Sequence, residues 1–279
     1  MVYVIDSHNA PCTIHDKPCT NTKHPPTTLP RSPSRRFARR LKVALLRTGA
    51  AGAAAPAAGA AITAGYLARL GRWAARQRPA FDADVAEPAF RYAKRERLFA
   101  HVLTSEIGDA PIRYLEFGVA RGASFRWWLE HVTHPDARFA GFDVFTGLPE
   151  DFGPVRAGAF DTGGAVPEVD DARARFVAGY FQDTLGPYLE ASGMARRDGN
   201  TRLVIHLDAD LYSSTLFVLT RLAPVLRAGD LLLFDEFGVP MHEFRAWTDF
   251  VAAYRVRATL LGQANDWLQV AFRLDDVAR

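Results

Sequence analysis

The stretch IRYLEFGVARGASFRWWLEHV, residues 112–132, passes from a strand pattern through a glycine turn into a helix pattern. Residues 112–119 form a short apolar run, and residues 123–132 carry their aromatic and aliphatic side chains at helical spacing. A strand that turns on glycine into a helix is the repeating unit of a parallel sheet covered on both faces. The same alternation continues downstream. RFAGFDVF (138–145) reads as a second strand and TGLPEDFGP as a loop, while residues 172–192 hold a short helix, a brief third strand near 176–178 and another helix. TRLVIHLDAD (201–210) is a fourth strand, STLFVLTRLAPVL (214–226) a helix, and DLLLFDEF (230–237) a fifth strand. HEFRAWTDFVAAY (242–254) is helical, and RVRATLLG (255–262) with DWLQVAFRL (266–274) predicts a closing antiparallel pair. Upstream, PAFRYAKRERLFAHVLTSEI (88–107) predicts a helix with one apolar face. The fold class is therefore α/β, a doubly wound, mostly parallel seven-stranded sheet with a C-terminal antiparallel pair.

The 279 residues are 48% hydrophobic and 23% charged, ordinary values for a globular protein. The net charge of +3 hides an asymmetry. No Asp or Glu lies between Asp16 and Asp82, an interval with thirteen Lys or Arg. With two acids before it, residues 82–279 must carry −8, which argues against nucleic acid as a partner of the main body. The expected division is a basic arm with an Ala/Gly-rich segment over residues 1–78 and a folded domain over 79–279. Residues 1–36, rich in Pro, Thr, Ser and His, predict disorder. RRFARRLKVALLR (35–47) is a basic amphipathic segment, and residues 48–68 are uncharged and long enough to span a bilayer. Their Ala, Gly and Pro56 content makes insertion poor, so linker, membrane-surface and spanning readings all stand. The acid-free, Arg-rich character also resembles an organelle transit peptide. Cys12 and Cys19 lie in the arm, which supports neither a metal site nor a disulfide framework. A cysteine-free domain is compatible with a cytoplasmic location, with membrane contact through the arm.

EFGVARGAS (116–124) stands where a doubly wound sheet binds a nucleotide. Gly118 and Gly122 let the backbone approach a ligand, but the spacing is not that of a pyrophosphate cradle, and no phosphate-binding lysine loop occurs. Asp143, at the end of the second strand, suits a ribose diol, and Glu116 is a second acid by the crevice. Two acids without a phosphate cradle favour a positively charged nucleoside such as S-adenosylmethionine.

HLDADLYSST (206–215) and FDEF (234–237) bring further acids to the ends of the fourth and fifth strands. These strands are expected neighbours, so Asp208, Asp235 and Glu236 converge at the crevice mouth. Crowded carboxylates raise one another's pKa unless a cation sits among them. Hard oxygen ligands with room for water suit magnesium, with calcium or manganese as alternatives. The use of the same acids as hydrogen-bond acceptors, without a metal, also stands. Asp208 is the expected general base, and Asp210 is expected to hold the turn through backbone amides or an arginine. Ser213, Ser214 and Thr215 are expected to cap the next helix. His206, two residues inside the strand, is expected to be a core histidine, whereas His242 and Glu243 are candidates to touch a second substrate.

Five segments, YLEFGVARGAS (114–124), GFDVFTGLP (141–149), FVAGYFQDTL (176–185), LDADLYSST (207–215) and GDLLLFDEF (229–237), resemble in order the blocks of the macrocin O-methyltransferase family. The resemblance covers roughly residues 85–275. It implies a Rossmann-like fold of the class I S-adenosylmethionine-dependent enzymes and methylation of sugar hydroxyls on natural products. It implies cofactor contacts at Glu116, Gly118, Gly122, Ser124, Asp143 and Asp183, and a magnesium ion on Asp208, Asp235 and Glu236. A glycosyl or polyol substrate and a homo-oligomer complete the expectation. Asp235-Glu236 departs from the Asp-Asp pair usual in the family, and Val144 and Thr146 replace a serine and an acid of the second block. Those departures bear on the metal and the acceptor. The alternatives are a methyltransferase with a nitrogen or phenolic acceptor, and a membrane-tethered binding protein that keeps the fold without turnover.

Overall fold

A computed structural model of the chain describes residues 33–49, 52 and 55–277. The expected disordered segment before residue 33, with Cys12 and Cys19, lies outside the described residues. The described residues divide into two units, one up to Pro56 and one from Ala57 onward. In the first, helix α1 (Pro33–Thr48) carries the basic amphipathic segment and keeps Phe37, Leu41 and Leu45 exposed.

The described residues of the second unit form one eight-stranded sheet. Its strands are β1 (Phe81–Asp82), β2 (Ile112–Phe117), β3 (Arg138–Asp143), β4 (Ala174–Ala178), β5 (Arg202–Leu207), β6 (Leu231–Phe234), β7 (Arg257–Ala264) and β8 (Gln269–Asp276). The order is β1-β7-β8-β6-β5-β2-β3-β4, with β8 antiparallel to both β6 and β7 and every other pairing parallel. The expected strands and the closing antiparallel pair are all present, and β1 is the addition. Two residues are too short to show a period; their pairing with β7 is reinforced by Gln263, which donates to Asp82 at 2.5 Å.

Helices α2 (Ala55–Ala74), α3 (Arg95–Val102), α4 (Ala123–His131), α5 (Phe181–Ala191), α6 (Tyr212–Leu222) and α7 (Glu243–Tyr254) complete the described elements, besides short 3-10 and π turns. Two apolar clusters flank the sheet. One gathers Leu207, Phe234 and Phe272 with the inner faces of α6 and α7; the other gathers Phe99, Tyr114, Trp128 and Phe139 beneath α3 and α4. The Trp pair of α4 thus packs the second cluster, with Trp128 fully buried.

The last turns of α2 belong to the first cluster: Leu70 is buried, and the Trp73 ring lies 5.1 Å from Phe237 and 5.4 Å from Trp267. The boundary expected after residue 78 falls beyond these packed side chains. None of the helices among the described residues is long and apolar enough to cross a membrane.

The sheet order reverses between β2 and β5, where their successors β3 and β6 leave in opposite directions. At such a switch point the loops at the carboxyl ends part and open a crevice.

Candidate active site

The β2–α4 turn is built on Gly118. Its φ of +91° is costly for any residue with a side chain, and a Cβ there would sit 1.8 Å from the Asp208 carbonyl oxygen. The two strand ends can therefore touch only through glycine. Asp143, from the end of β3, accepts the Val119 and Ala120 amides on one oxygen at 2.8 and 2.7 Å and the Phe145 amide on the other at 2.8 Å. It fixes the turn and still faces the crevice, because a carboxylate has about four acceptor positions. Gly122 precedes α4 with φ of +74°, but it does not line the cavity.

The crevice is a cavity of about 790 Å³, within the ~300–1,000 Å³ usual for small-molecule sites. Its wall includes Gly118, Ser124, Asp143, Asp183, Asp208, Asp210 and Glu236, so most of the expected residues are brought together. Residues 147–150 and 160–161 of the long loop after β3 cover one side. In that loop the Leu148 amide donates to the Ala159 carbonyl and the Gly158 amide to the Leu148 carbonyl, both at 2.9 Å, and Glu150 accepts from Ser213 Oγ at 2.5 Å.

Several expectations are corrected. Glu116 is not part of the wall. It is fully buried, accepting Tyr114 Oη at 2.5 Å and Ser124 Oγ at 2.7 Å, with His206 Nδ1 3.6 Å away. Strand alternation turns it into the second cluster rather than toward the crevice. The serines after β5 do not cap α6, whose N-cap is Leu211 without a side-chain bond; Ser213 and Ser214 line the cavity instead. His242 and Glu243 do not line it either: His242 meets the Phe152 ring at 4.7 Å, and buried Glu243 accepts the Glu236 amide at 2.9 Å.

Asp235 is also fully buried and absent from the wall. Its Oδ2 accepts Arg95 Nη1 at 2.6 Å and the Tyr92 hydroxyl, and His206 Nε2 stands 3.7 Å from its Oδ1. Arg95 Nη1 also reaches Asp208 Oδ2 at 3.5 Å. The three expected metal ligands are thus split, Asp208 and Glu236 on the wall and Asp235 beneath it among two organic cations. Among the described residues no group of three His, Cys, Asp or Glu side chains gathers as a metal site. The donor set does not fit a divalent ion shared by Asp208, Asp235 and Glu236.

The charges follow from these contacts. Burial alone would pull His206 down, but Asp235 and Glu116 outweigh it and hold the imidazole at about 9. Burial opposes ionisation of Asp235, yet His206, Arg95 and Tyr92 keep it below the usual carboxyl range. The wall behaves oppositely. Burial and the charges of Asp235 and Asp143 push Asp210 up to about 7, and burial with Asp235 and Asp210 pushes Glu236 up to about 8. Asp208 is raised by burial and by Asp235, against the pull of His206 and Arg95. Asp210 has φ of +56° and accepts no hydrogen bond from backbone amide or arginine, so its expected structural role is not what holds the turn. Arg95 and Tyr92 carry no periodic signal in the sequence; the only hint is that RYAKRER (91–97) concentrates cations just ahead of an acidic crevice.

A doubly wound sheet of this order, with an open, acid-lined crevice at its switch point, has the Rossmann-like architecture shared by class I methyltransferases. Residues 164–274 match the family model described as "Macrocin-O-methyltransferase (TylF)". Among solved structures, the calicheamicin methyltransferase CalS11 is 23% identical, with 66% of this chain and 79% of that one covered at a TM-score of 0.47. The O-methyltransferase NovP is 22% identical over 67% and 80% of the two chains, at 0.49. The Podospora anserina methyltransferase PaMTH1, solved with SAH bound, is 18% identical over 76% and 88%, at 0.37. No curated protein matches the chain.

Proposed function

We propose that the chain methylates a hydroxyl of a sugar or another small natural product, with S-adenosylmethionine as donor. The observation that carries this reading is the charge of the cavity wall. Asp143, Glu150, Asp161, Asp183, Asp208, Asp210 and Glu236 face it, against Arg95 and Arg121 alone. Such a wall suits a cationic ligand, and the open glycine turn admits a nucleoside. Asp143 and Asp183 are the cofactor-binding carboxylates, Gly118 gives the close approach, and Ser124 contributes from the start of α4.

When bound, S-adenosylmethionine supplies a methyl carbon activated by its sulfonium and leaves as a neutral thioether. The chain's own residues do the rest. Asp208, held by Arg95, orients the acceptor hydroxyl. Asp210, with no other hydrogen bond to its carboxylate and a pKa of about 7, takes the proton as the oxygen attacks. The base expected at Asp208 thus moves two residues along the same turn. The loop carrying Leu148 and Glu150 excludes water from the reacting atoms.

Isothermal calorimetry with S-adenosylmethionine tests the reading. One saturable site per chain, weakened by Asp183→Ala, is expected; absence of any heat of binding refutes it.

We further propose that α1 lies on an anionic membrane surface. Phe37, Leu41 and Leu45 recur at four-residue spacing on one side, Arg39, Lys42 and Arg47 project from the other, and no acid interrupts the segment. Co-sedimentation with phosphatidylglycerol vesicles but not phosphatidylcholine vesicles is expected, and its persistence after deletion of residues 1–56 refutes the assignment.

A further inference from the structure

The resemblance to the macrocin O-methyltransferases implies a divalent ion between the carboxyl ends of β5 and β6. In this chain that place holds a guanidinium. Arg95, the first residue of α3, is buried and directs Nη1 to Asp235 at 2.6 Å, to the Tyr92 hydroxyl at 2.8 Å and toward Asp208 at 3.5 Å. Its plane lies over the Tyr92 ring, 4.2 Å from the centroid, and 5.9 Å from that of Phe99. Those two rings leave the group little freedom to swing away.

A second buried cation seals the other side of the same acid. His206 faces Asp235 on one nitrogen and Glu116 on the other, at 3.7 and 3.6 Å. To ligate a metal at the wall, Asp235 would have to leave both partners, stranding a buried guanidinium without its anion.

We infer that Arg95 performs the charge-compensating role of the divalent ion, so that this enzyme positions Asp208 without a metal. The inference rests on the methyltransferase reading above, and its test separates the two. Arg95 is a positioning residue: it acts on the acceptor through Asp208. The side chain fixes the carboxylate by a directed hydrogen-bond donor, where an ion would fix it by coordination.

The experiment uses the full chain, freed of metal by chelation and saturated with S-adenosylmethionine. MgCl2 and MnCl2 are titrated at millimolar concentration against NaCl of equal ionic strength, with calorimetry and thermal melting as readouts. No saturable heat and no metal-specific change in Tm are expected. Saturable binding that Asp235→Asn abolishes overturns the inference. The Arg95→Met chain should melt roughly 10 °C lower in chelator and regain part of that loss specifically with Mg2+ or Mn2+, because the vacated acids then need a cation. A simple packing role for Arg95 predicts the loss without the metal-specific rescue and overturns the inference. If Arg95→Met does not fold, Arg95→Gln provides the same comparison, with the charge removed and a hydrogen-bond donor kept. The heat of S-adenosylmethionine binding in the same samples reports on the methyltransferase reading independently of the metal result.

Discussion

The acids at the carboxyl ends of β2, β5 and β6 divide into a floor and a wall, and the two behave as different materials. On the floor, Glu116 and Asp235 are fully buried, and each has a cation or a hydroxyl donor within 3.7 Å. On the wall, Asp210 and Glu236 face the cavity and are held at about 7 and about 8. A paired buried carboxylate is a permanent charge that sets geometry, whereas an unpaired one near neutrality can exchange a proton or meet a cationic ligand. Sequence neighbours Asp235 and Glu236, in the bend that follows β6, fall on opposite sides of this division.

The largest expected effect breaks the wall. Asp210→Asn should lower methyl transfer by about 10²–10⁴-fold, the range for loss of a general base. In the unaltered enzyme the rate should rise with pH and level off above about 7, as Asp210 loses its proton. A rate that Asp210→Asn leaves untouched would return the base to Asp208.

Breaking the floor should cost stability instead. Asp235→Ala leaves Arg95 and His206 without their shared anion, for which about 3–5 kcal/mol is the usual loss in a buried pair. Urea unfolding should show it at neutral pH.

A comparable loss is expected from truncation. Deleting residues 1–78 removes Trp73 from among Phe237, Phe244 and Trp267, and large aromatic deletions cost about 3–5 kcal/mol. Deleting residues 1–56 should leave the melting temperature unchanged. Equal melting of both truncations would restore the boundary after residue 78.

The smallest effect sharpens the comparison. Glu236 in the fold keeps its proton up to about 8, against 4.5 for an ordinary glutamate, so its favourable contribution is present at low pH and is lost between those values. Glu236→Gln should therefore match the unaltered chain near pH 5 and melt higher near pH 8.5. A rise of about 2–4 °C would correspond to each kcal/mol recovered.

Much of the fold could be read in the sequence, because 112–132 and its successors alternate strand and helix patterns with little ambiguity, and the closing pair at 255–274 follows the same logic. Strand β1 could not, since Phe81 and Asp82 gain their identity only from β7. That Gly118, Asp143 and Asp183 line the crevice was legible from their places at strand and helix ends. Arg95 was not: a lone arginine in a basic helix has no periodic signature, and only the fold reveals that it lies 140 residues from its carboxylate in sequence and 2.6 Å in space. For the same reason Asp208, Asp235 and Glu236 looked like one ligand set, when the bend after β6 sends Asp235 to the floor and Glu236 to the wall.

The floor-and-wall account is tested most directly by the affinities of S-adenosylmethionine and S-adenosylhomocysteine measured side by side from pH 6 to pH 9. The two differ in the sulfonium charge, so their ratio isolates the electrostatics of the wall. As Asp210 and Glu236 ionise, preference for the cation should grow, on the order of tenfold for about one screened charge contact. A ratio that stays flat across that range would contradict it.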